Sequence, residues 1–256
     1  ITIEPDRGLA AALEGLGKPV ETVGRRWRFA NLVKGMRPHQ WLKNLLLLLP
    51  LLAAHEFSVA AWIPALLMVV AFSATASSVY LTNDLFDLAT DRVHPEKRFR
   101  PIASGELPIP VAMAAAAGLA IFGLVIAAAV GLPTLALIVS YVVLTLTYSA
   151  FLKKMKWVDM VVLASLYTLR VITGAAAAAI PLSNWLVAFC LALFFTLTAV
   201  KRLGGLSRAD GAEKLPGRGY SAADRQTVLR TGYGGAAVAG LVFLAYSFSN
   251  DAQSLY

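Results

Sequence analysis

Long apolar runs alternate with short polar segments along the chain, and most of those segments are basic. About twenty consecutive apolar residues carry an α-helix across a bilayer. Seven runs reach that length, at about 42–60, 62–82, 108–130, 133–152, 158–180, 184–203 and 233–249. Pro50 interrupts the first and predicts a kink there. The pattern predicts an all-α fold, a polytopic membrane helical bundle of about seven spans. Residues 1–36 separate as a polar N-terminal segment, and 37–256 form the transmembrane domain. Within the former, residues 25–36 carry Arg25, Arg26, Arg28 and Lys34 and predict an amphipathic helix on the membrane surface. The stretch before Arg37 lacks the short apolar core of a signal peptide.

Composition strengthens this picture. The 256 residues are 58% hydrophobic and 15% charged, with mean hydropathy +0.66. Those values exclude a disordered chain and a typical soluble enzyme. The net charge of +8 is not spread as on a nucleic-acid-binding surface, so no nucleic-acid partner is expected. With the N-terminus inside, Arg170 lies within a span, and the other 22 of the 23 Lys and Arg residues fall at inside ends or segments. That asymmetry orients the bundle by the positive-inside rule and turns its chemistry toward the cytoplasm. The single cysteine, Cys190, excludes an internal disulfide and a cysteine-ligated metal. The three histidines are scattered, which argues against zinc. No nucleophile elbow, P-loop or dinucleotide fingerprint is present. The chain begins at Ile1 rather than Met and reads as part of a longer product.

The most informative stretch runs from Asn83 to Asp91. On a helix continuing the second span, Asn83, Asp84, Asp87 and Asp91 fall within about 100° of arc, with Leu85 and Leu88 turned elsewhere. Three carboxylates so close repel unless a cation joins them. Hard oxygen donors suit Mg²⁺, which typically uses one or two carboxylates plus substrate phosphates. The alternative is a solvated acidic helix end. Against it, ionisable groups beside a bilayer are costly and usually functional. Arg92, His94, Lys97, Arg98 and Arg100 follow directly. These residues mark either inside topology or, paired with the acids, a site that grips one polyanion.

Further polar residues stand at the inside ends of other spans. Arg37, Gln40, Lys43 and Asn44 surround Trp41, an interfacial anchor; Lys43 and Asn44 either snorkel or point inward to a phosphate. Tyr148, Lys153, Lys154, Lys156 and Asp159 cluster between the fourth and fifth spans. Asp159 and Arg170 are eleven residues apart, about 20° off one helical face and about 16 Å along the axis. They cannot pair but can line one cavity. Arg170 at mid-span is a functional candidate by default; the other reading is an ion pair between helices. Lys201 and Arg202 end the sixth span before Gly204-Gly205, Arg208, Asp210 and a loop reaching Gly217-Arg218-Gly219-Tyr220. Basic residues there either complete a phosphate site or cap the span.

With these residues in place, the sequence resembles the UbiA-type intramembrane prenyltransferases. Their Asn-Asp-x-x-Asp-x-x-x-Asp motif after the second span is matched by Asn83, Asp84, Asp87 and Asp91. Within the superfamily it is most similar to the decaprenyl-phosphate phosphoribosyltransferase branch. The matching strings are Arg37 to Asn44, Ser78 to Asp84, Asp91 to Gly105, Leu169 to Gly174, Pro181 to Trp185, and Lys201-Arg202. The likeness covers about residues 35–205. It also resembles versions fused behind a HAD-type phosphatase domain. The family has nine spans, so two C-terminal spans are expected to be missing here. Its second acidic motif is absent in the usual form, with Gly204-Gly205 where the branch carries a glutamate and Asp210 as a substitute.

The resemblance implies a membrane-embedded transferase with Mg²⁺ as cofactor. The implied reaction moves 5-phosphoribose from phosphoribosyl pyrophosphate to a polyprenyl phosphate, releasing pyrophosphate, in cell-envelope precursor synthesis at a bacterial inner membrane. Asp84, Asp87 and Asp91 would hold the metal, and Lys97, Arg98 and Arg100 the developing charge. Arg37, Gln40, Lys43, Asn44, Asn83, Tyr148, Lys153, Lys154, Asp159, Arg170, Lys201 and Arg202 would bind substrates. A homotrimer is implied by resemblance. One alternative is transfer of a polyprenyl group from its diphosphate to an aromatic or other acceptor; the number of cationic residues favours two phosphorylated substrates. Others are an ion-coupled transporter, for which no inverted repeat is evident, and a degenerate scaffold, given Gly204-Gly205.

Overall fold

The computed structural model describes residues 27–208 and 218–249. Every regular element among them is helical. In chain order these are α1 (Phe29–Met36), a 3-10 helix (Pro38–Leu48), α2 (Leu49–Ala53), α3 (Val59–Phe86), α4 (Leu88–Val93), α5 (Ile109–Val130), α6 (Leu132–Ala150), α7 (Val158–Ala177), α8 (Asn184–Arg208) and α9 (Arg225–Ser247). Single 3-10 turns occur at Lys97–Phe99, Leu152–Lys154 and Ala222–Asp224. Six helices, α3 and α5 to α9, are long and apolar enough to cross a membrane. Helices suit that setting because each satisfies its own backbone polar groups. The chain is therefore an all-α, multi-pass membrane protein, and six of the seven expected spans are single α-helices. The last begins at Arg225, ahead of the expected 233. Arg25, Arg26 and Asp210 lie outside the described residues; α1 forms within the expected amphipathic segment.

The first run departs from expectation. Instead of one α-helix broken at Pro50, it forms eleven residues of 3-10 helix followed by the five-residue α2. Burial recurs every three residues, at Asn44, Leu47 and Pro50, which is the 3-10 period. The tighter winding rises farther per residue, so the two pieces together supply roughly 30 Å of length. The cause lies in packing. A Cβ on Gly174 would sit 1.8 Å from the Leu47 carbonyl oxygen, so the backbone of the run rests directly on α7 where glycine leaves room.

The chain divides into two compact units, one of residues 1–39 and 76–119, the other of 40–75 and 120–256. In the first, Leu81, Ile102, Leu107, Ala112 and Ala116 form the core. The Ser77 hydroxyl donates to the Met36 carbonyl (3.1 Å) and Ser78 to that of Ala116 (2.7 Å). These bonds tie α3 to α1 and α5 through small side chains that permit close approach. In the second, Leu51, Ala61 and Ala65 cluster at the start of α3. Met160, Ala199, Leu206, Tyr220 and Val228 join α7, α8 and α9. Helices α8 and α9 meet closely at Gly235, whose added Cβ would come within 2.7 Å of Thr196 Oγ1.

Candidate functional site

The first unit gathers charge around the C-terminal end of α3. Asp84 and Asp91 are almost fully buried, at 4% and 1% exposure. Arg100 Nη1 donates to both, at 3.1 Å to Asp84 Oδ1 and 2.6 Å to Asp91 Oδ2. Arg37 Nη2 donates to the same Asp84 oxygen at 2.6 Å, and its guanidinium lies 5.1 Å from the Tyr80 ring centroid. Arg37 holds a left-handed backbone (φ 55°, ψ 61°) between α1 and the 3-10 helix. That conformation is uncommon for a side-chain-bearing residue and is maintained only when the surroundings demand it. Lys97 Nζ stands 4.0 Å from Asp91 Oδ1. Half-exposed guanidiniums thus converge on carboxylates sealed in the protein, the placement in which charge pairs are least screened.

The acidic motif does not occupy one continuous helix. Helix α3 ends at Phe86, and Asp87 (φ −85°, ψ 3°) sits in a turn before α4 restarts at Leu88. Asp84 and Asp91 come together beneath Arg100, while Asp87 remains half-buried outside that pair. No three of the His, Cys, Asp or Glu side chains among the described residues converge. Arg100 bridges two of the three expected carboxylates, and Asp87 stands apart from them. Breaking the helix relieves the repulsion that three aligned carboxylates would suffer, and a guanidinium neutralises the two that remain. Asn83 is half-buried at the end of α3. Arg98 is exposed and stacks 4.8 Å from the Phe99 ring centroid, not against the acids.

A metal fits this arrangement in part. Arg100 Nη1 already occupies the position of a cation shared by two carboxylates. Mg²⁺ uses one or two carboxylates and completes its shell with water and substrate phosphate. Asp84 and Asp91 match that donor set.

In the second unit, Arg170 is buried in α7. Its Nε donates to Asn44 Oδ1 (3.0 Å), its Nη1 to the Leu166 carbonyl (2.6 Å) and its Nη2 to Tyr141 Oη (3.2 Å). Tyr141, Tyr167 and Phe72 present their rings at 4.8, 5.7 and 5.8 Å, a cation–π cage. Asn44 in turn donates to Ser73 Oγ at 3.0 Å. Arg170 thus clamps the 3-10 helix to α7 and α6 through neutral partners, not through an ion pair. Lys43 Nζ donates to Gln40 Oε1.

Asp159, fully buried at the start of α7, anchors a second cluster. It accepts from Arg202 Nε (2.5 Å) and Nη2 (3.1 Å), Arg218 Nη1 (2.5 Å) and the Tyr148 hydroxyl (2.8 Å). Asp159 and Arg170 share a helix face, yet each belongs to its own polar cluster. Lys153 is half-buried and Lys154 and Lys156 exposed; Lys156 pairs with Asp224 at 2.8 Å. Lys201 is exposed within α8, about two turns before its end. Tyr141 is the participant that the sequence did not single out, whereas Arg218 stands in the loop whose basic residues were read as a phosphate site or a span cap. Tyr141 lies seven residues before Tyr148 on the same face of α6, a signal the sequence did carry.

The loop before Asp159 is unusual. The Val158 N–H bonds the Lys156 carbonyl at 2.7 Å across Trp157, which has φ 66° and ψ −47°. This is a γ-turn of the rare, strained form. Tyr220 stabilises it: its buried hydroxyl accepts the Trp157 N–H at 3.0 Å, and the two rings meet edge to face. Burial pushes the Tyr220 phenol above its ordinary pKa, so it stays neutral.

Comparison with known proteins places these residues in context. Residues 44–214 match the model of the UbiA prenyltransferase family. The nodulation protein NoeC of Azorhizobium caulinodans is 38% identical over 202 residues, 78% of this chain and 66% of that one. A decaprenyl-phosphate phosphoribosyltransferase of Mycobacterium tuberculosis is 40% identical over 187 residues, 71% of this chain and 62% of that one. The chain therefore spans under two thirds of the length of these curated relatives. A UbiA homolog from Archaeoglobus fulgidus, solved bound to GPP and Mg²⁺, shares the fold with a TM-score of 0.69 at 19% identity, covering 85% of this chain and 77% of that one.

Proposed function

Since the chain belongs to the UbiA prenyltransferase family, we propose that it is the catalytic part of a membrane transferase moving 5-phosphoribose from phosphoribosyl pyrophosphate to a polyprenyl phosphate. The observation that carries this reading is the buried Asp84–Asp91 pair sharing Arg100 Nη1. Together with Arg37 and Lys97 it offers both halves of a diphosphate site, carboxylates for a hard cation and guanidiniums for phosphate oxygens. Mg²⁺, held by Asp84 and Asp91, would supply charge neutralisation for the leaving diphosphate. Arg37, Arg100 and Lys97 hold positive charge where the diphosphate departs. In the reaction, the bond from the ribose C1 to the diphosphate oxygen breaks and pyrophosphate leaves with the electron pair. A phosphate oxygen of the lipid forms the new bond to C1. That oxygen is already anionic, so no general base is required.

The choice of donor rests on relatives named decaprenyl-phosphate phosphoribosyltransferase at 38–40% identity. It rests also on the supply of cations in the second unit, more than one phosphorylated substrate needs. The distribution of Lys and Arg supports a site open to the cytoplasm of a bacterial inner membrane. Family membership sets the transporter reading aside. Transfer of a polyprenyl group from its diphosphate remains the competing reaction, favoured by the GPP and Mg²⁺ bound to the Archaeoglobus homolog. The deciding assay gives the purified protein two mixtures, each with Mg²⁺. One holds labelled phosphoribosyl pyrophosphate and polyprenyl phosphate, the other polyprenyl diphosphate and aromatic acids. Labelled lipid in the first mixture alone is expected; product only in the second refutes the proposed donor.

A further inference from the structure

A single guanidinium nitrogen occupies the point on which two cations have a claim. Arg100 Nη1 donates to Asp84 Oδ1 at 3.1 Å and to Asp91 Oδ2 at 2.6 Å. Mg²⁺ bonds oxygen at about 2.0–2.1 Å, so an ion shared by these two oxygens would stand in the space that Nη1 fills. Charge leads to the same exclusion. Arg37 and Arg100 already balance the two carboxylates. A divalent ion added to both guanidiniums would leave excess positive charge among almost fully buried groups, where repulsion is poorly screened.

One cation must therefore give way, and the two arginines are not held alike. Arg37 sits at the left-handed junction after α1, with the Tyr80 ring centroid 5.1 Å from its guanidinium. The Arg100 side chain is 29% exposed, and its backbone is braced on both sides. Its N–H bonds the Lys97 carbonyl and its carbonyl accepts the Ser104 N–H, both at 2.9 Å. His94 Nδ1 accepts the N–H groups of Glu96 and Lys97 at 3.2 and 3.3 Å, which fixes the preceding turn. Rotation of the Arg100 side chain is thus enough to vacate the acid pair, with the loop in place.

We propose that Arg100 is an exchangeable counter-ion: it neutralises Asp84 and Asp91 until a divalent cation takes the carboxylates, and the displaced guanidinium then turns to the phosphate oxygens of the incoming diphosphate. The exchange couples the two ligands. Metal entry frees a guanidinium for phosphate, and a diphosphate that captures the guanidinium opens the carboxylates to metal; the coupling is reciprocal. In the empty state the same contact spares two buried carboxylates from standing unpaired. The inference rests on the reading that Asp84 and Asp91 hold Mg²⁺, and it holds whichever group is transferred.

Two measurements without turnover test the exchange. The first follows Mn²⁺ binding to the purified protein in detergent by loss of the free ion's EPR signal. Arg100→Gln removes the competitor and should tighten binding about tenfold or more. Lys97→Gln removes an equal charge 4.0 Å from Asp91 that does not lie between the carboxylates, and should change binding by about fivefold or less. Binding by Arg100→Gln that is equal to or weaker than wild type, or tightened no more than by Lys97→Gln, overturns the exchange. The second uses wild type and so decides the matter even if Arg100→Gln fails to fold. Phenylglyoxal labels arginine side chains, and mass spectrometry reads each site. Mg²⁺ is expected to speed labelling of Arg100 several-fold relative to EDTA, with the exposed Arg98 as internal reference, and Asp91→Asn should abolish that acceleration. Labelling of Arg100 that Mg²⁺ leaves unchanged or slows, or an acceleration that survives Asp91→Asn, refutes the exchange. If phosphoribosyl transfer fails while both measurements come out as expected, the proposed donor falls and the exchange stands. Transfer intact with Mn²⁺ binding insensitive to Arg100→Gln sinks the exchange alone.

Discussion

Gly174→Ala is a sharp test of how the first apolar run is held. The added methyl would lie 1.8 Å from the Leu47 oxygen, 2.6 Å from its carbonyl carbon and 2.9 Å from its Cα. A comfortable carbon–oxygen contact is about 3.3 Å or more, so the backbone of the run must retreat by about 1.5 Å. No flexible side-chain end can yield instead, because all three obstructing atoms are main chain. Overpacking of this kind costs about 1–3 kcal/mol. One helical turn away, the same retreat stretches the Arg170–Asn44 bond of 3.0 Å, and a bond to a charged group is worth about 1.5–3 kcal/mol. The combined loss of about 3–5 kcal/mol lowers the unfolding midpoint by about 10 °C for a chain of this length. Thermal unfolding in detergent, followed by tryptophan fluorescence, measures it. Gly240→Ala is the control, since a Cβ there meets nothing within 4 Å, and it should leave the midpoint unchanged or slightly raised. Coincident midpoints for the two variants would show that the contact between Leu47 and Gly174 does not hold the run, and the account of its 3-10 winding would fail with it.

Three further outcomes are expected. Asp84→Asn and Asp91→Asn should each lower turnover by about 100-fold or more in the lipid-product assay, with the protein still monodisperse in detergent; activity within a few-fold of wild type would remove the acid pair from the site. Arg170→Lys cannot reproduce a bond geometry that uses Nε, Nη1 and Nη2 together, so it should cost about 2–3 kcal/mol in thermal unfolding while leaving the KM for phosphoribosyl pyrophosphate unchanged; a raised KM with normal stability would make Arg170 a substrate ligand. Tyr220→Phe removes the acceptor for a buried N–H and should cost about 1–3 kcal/mol. The wild-type phenol titrates above its unfolded value of about 10, so its contribution is complete below pH 10 and is lost as pH rises through the folded value. The stability gap between wild type and Tyr220→Phe should therefore hold at neutral pH and narrow at alkaline pH; a gap that widens there contradicts the assigned burial.

Helical class and the positions of six spans were readable from residue order, and so was the crowding of acids and bases at the end of α3. Each depends on local composition, on unbroken apolar length, or on charges that a bilayer tolerates only for a reason. The break within the acidic motif was not readable. The helical projection assumed a helix continuous through Asp87, whereas the chain breaks there and leaves Asp87 outside the pair bridged by Arg100. Arg170 illustrates the same boundary. Its place at mid-span marked it as important, yet whether it faced substrate, an acid or a neutral cage depended on Asn44, 126 residues away. The partner of Arg218 was hidden for a related reason: the buried Tyr220 and the tight passage at Gly219 hold its loop where Arg218 meets Asp159.

The residue order by itself determined that this protein is a helical membrane bundle with acids and bases concentrated at span ends. Hydrophobic length and charge asymmetry are properties of neighbouring residues and of their transfer between water and lipid. The tertiary structure alone decided which charges meet and how the first run winds. Those outcomes follow from contacts between distant segments, where a missing Cβ at Gly174 or a shared guanidinium at Arg100 selects one packing from many that the same pattern allows.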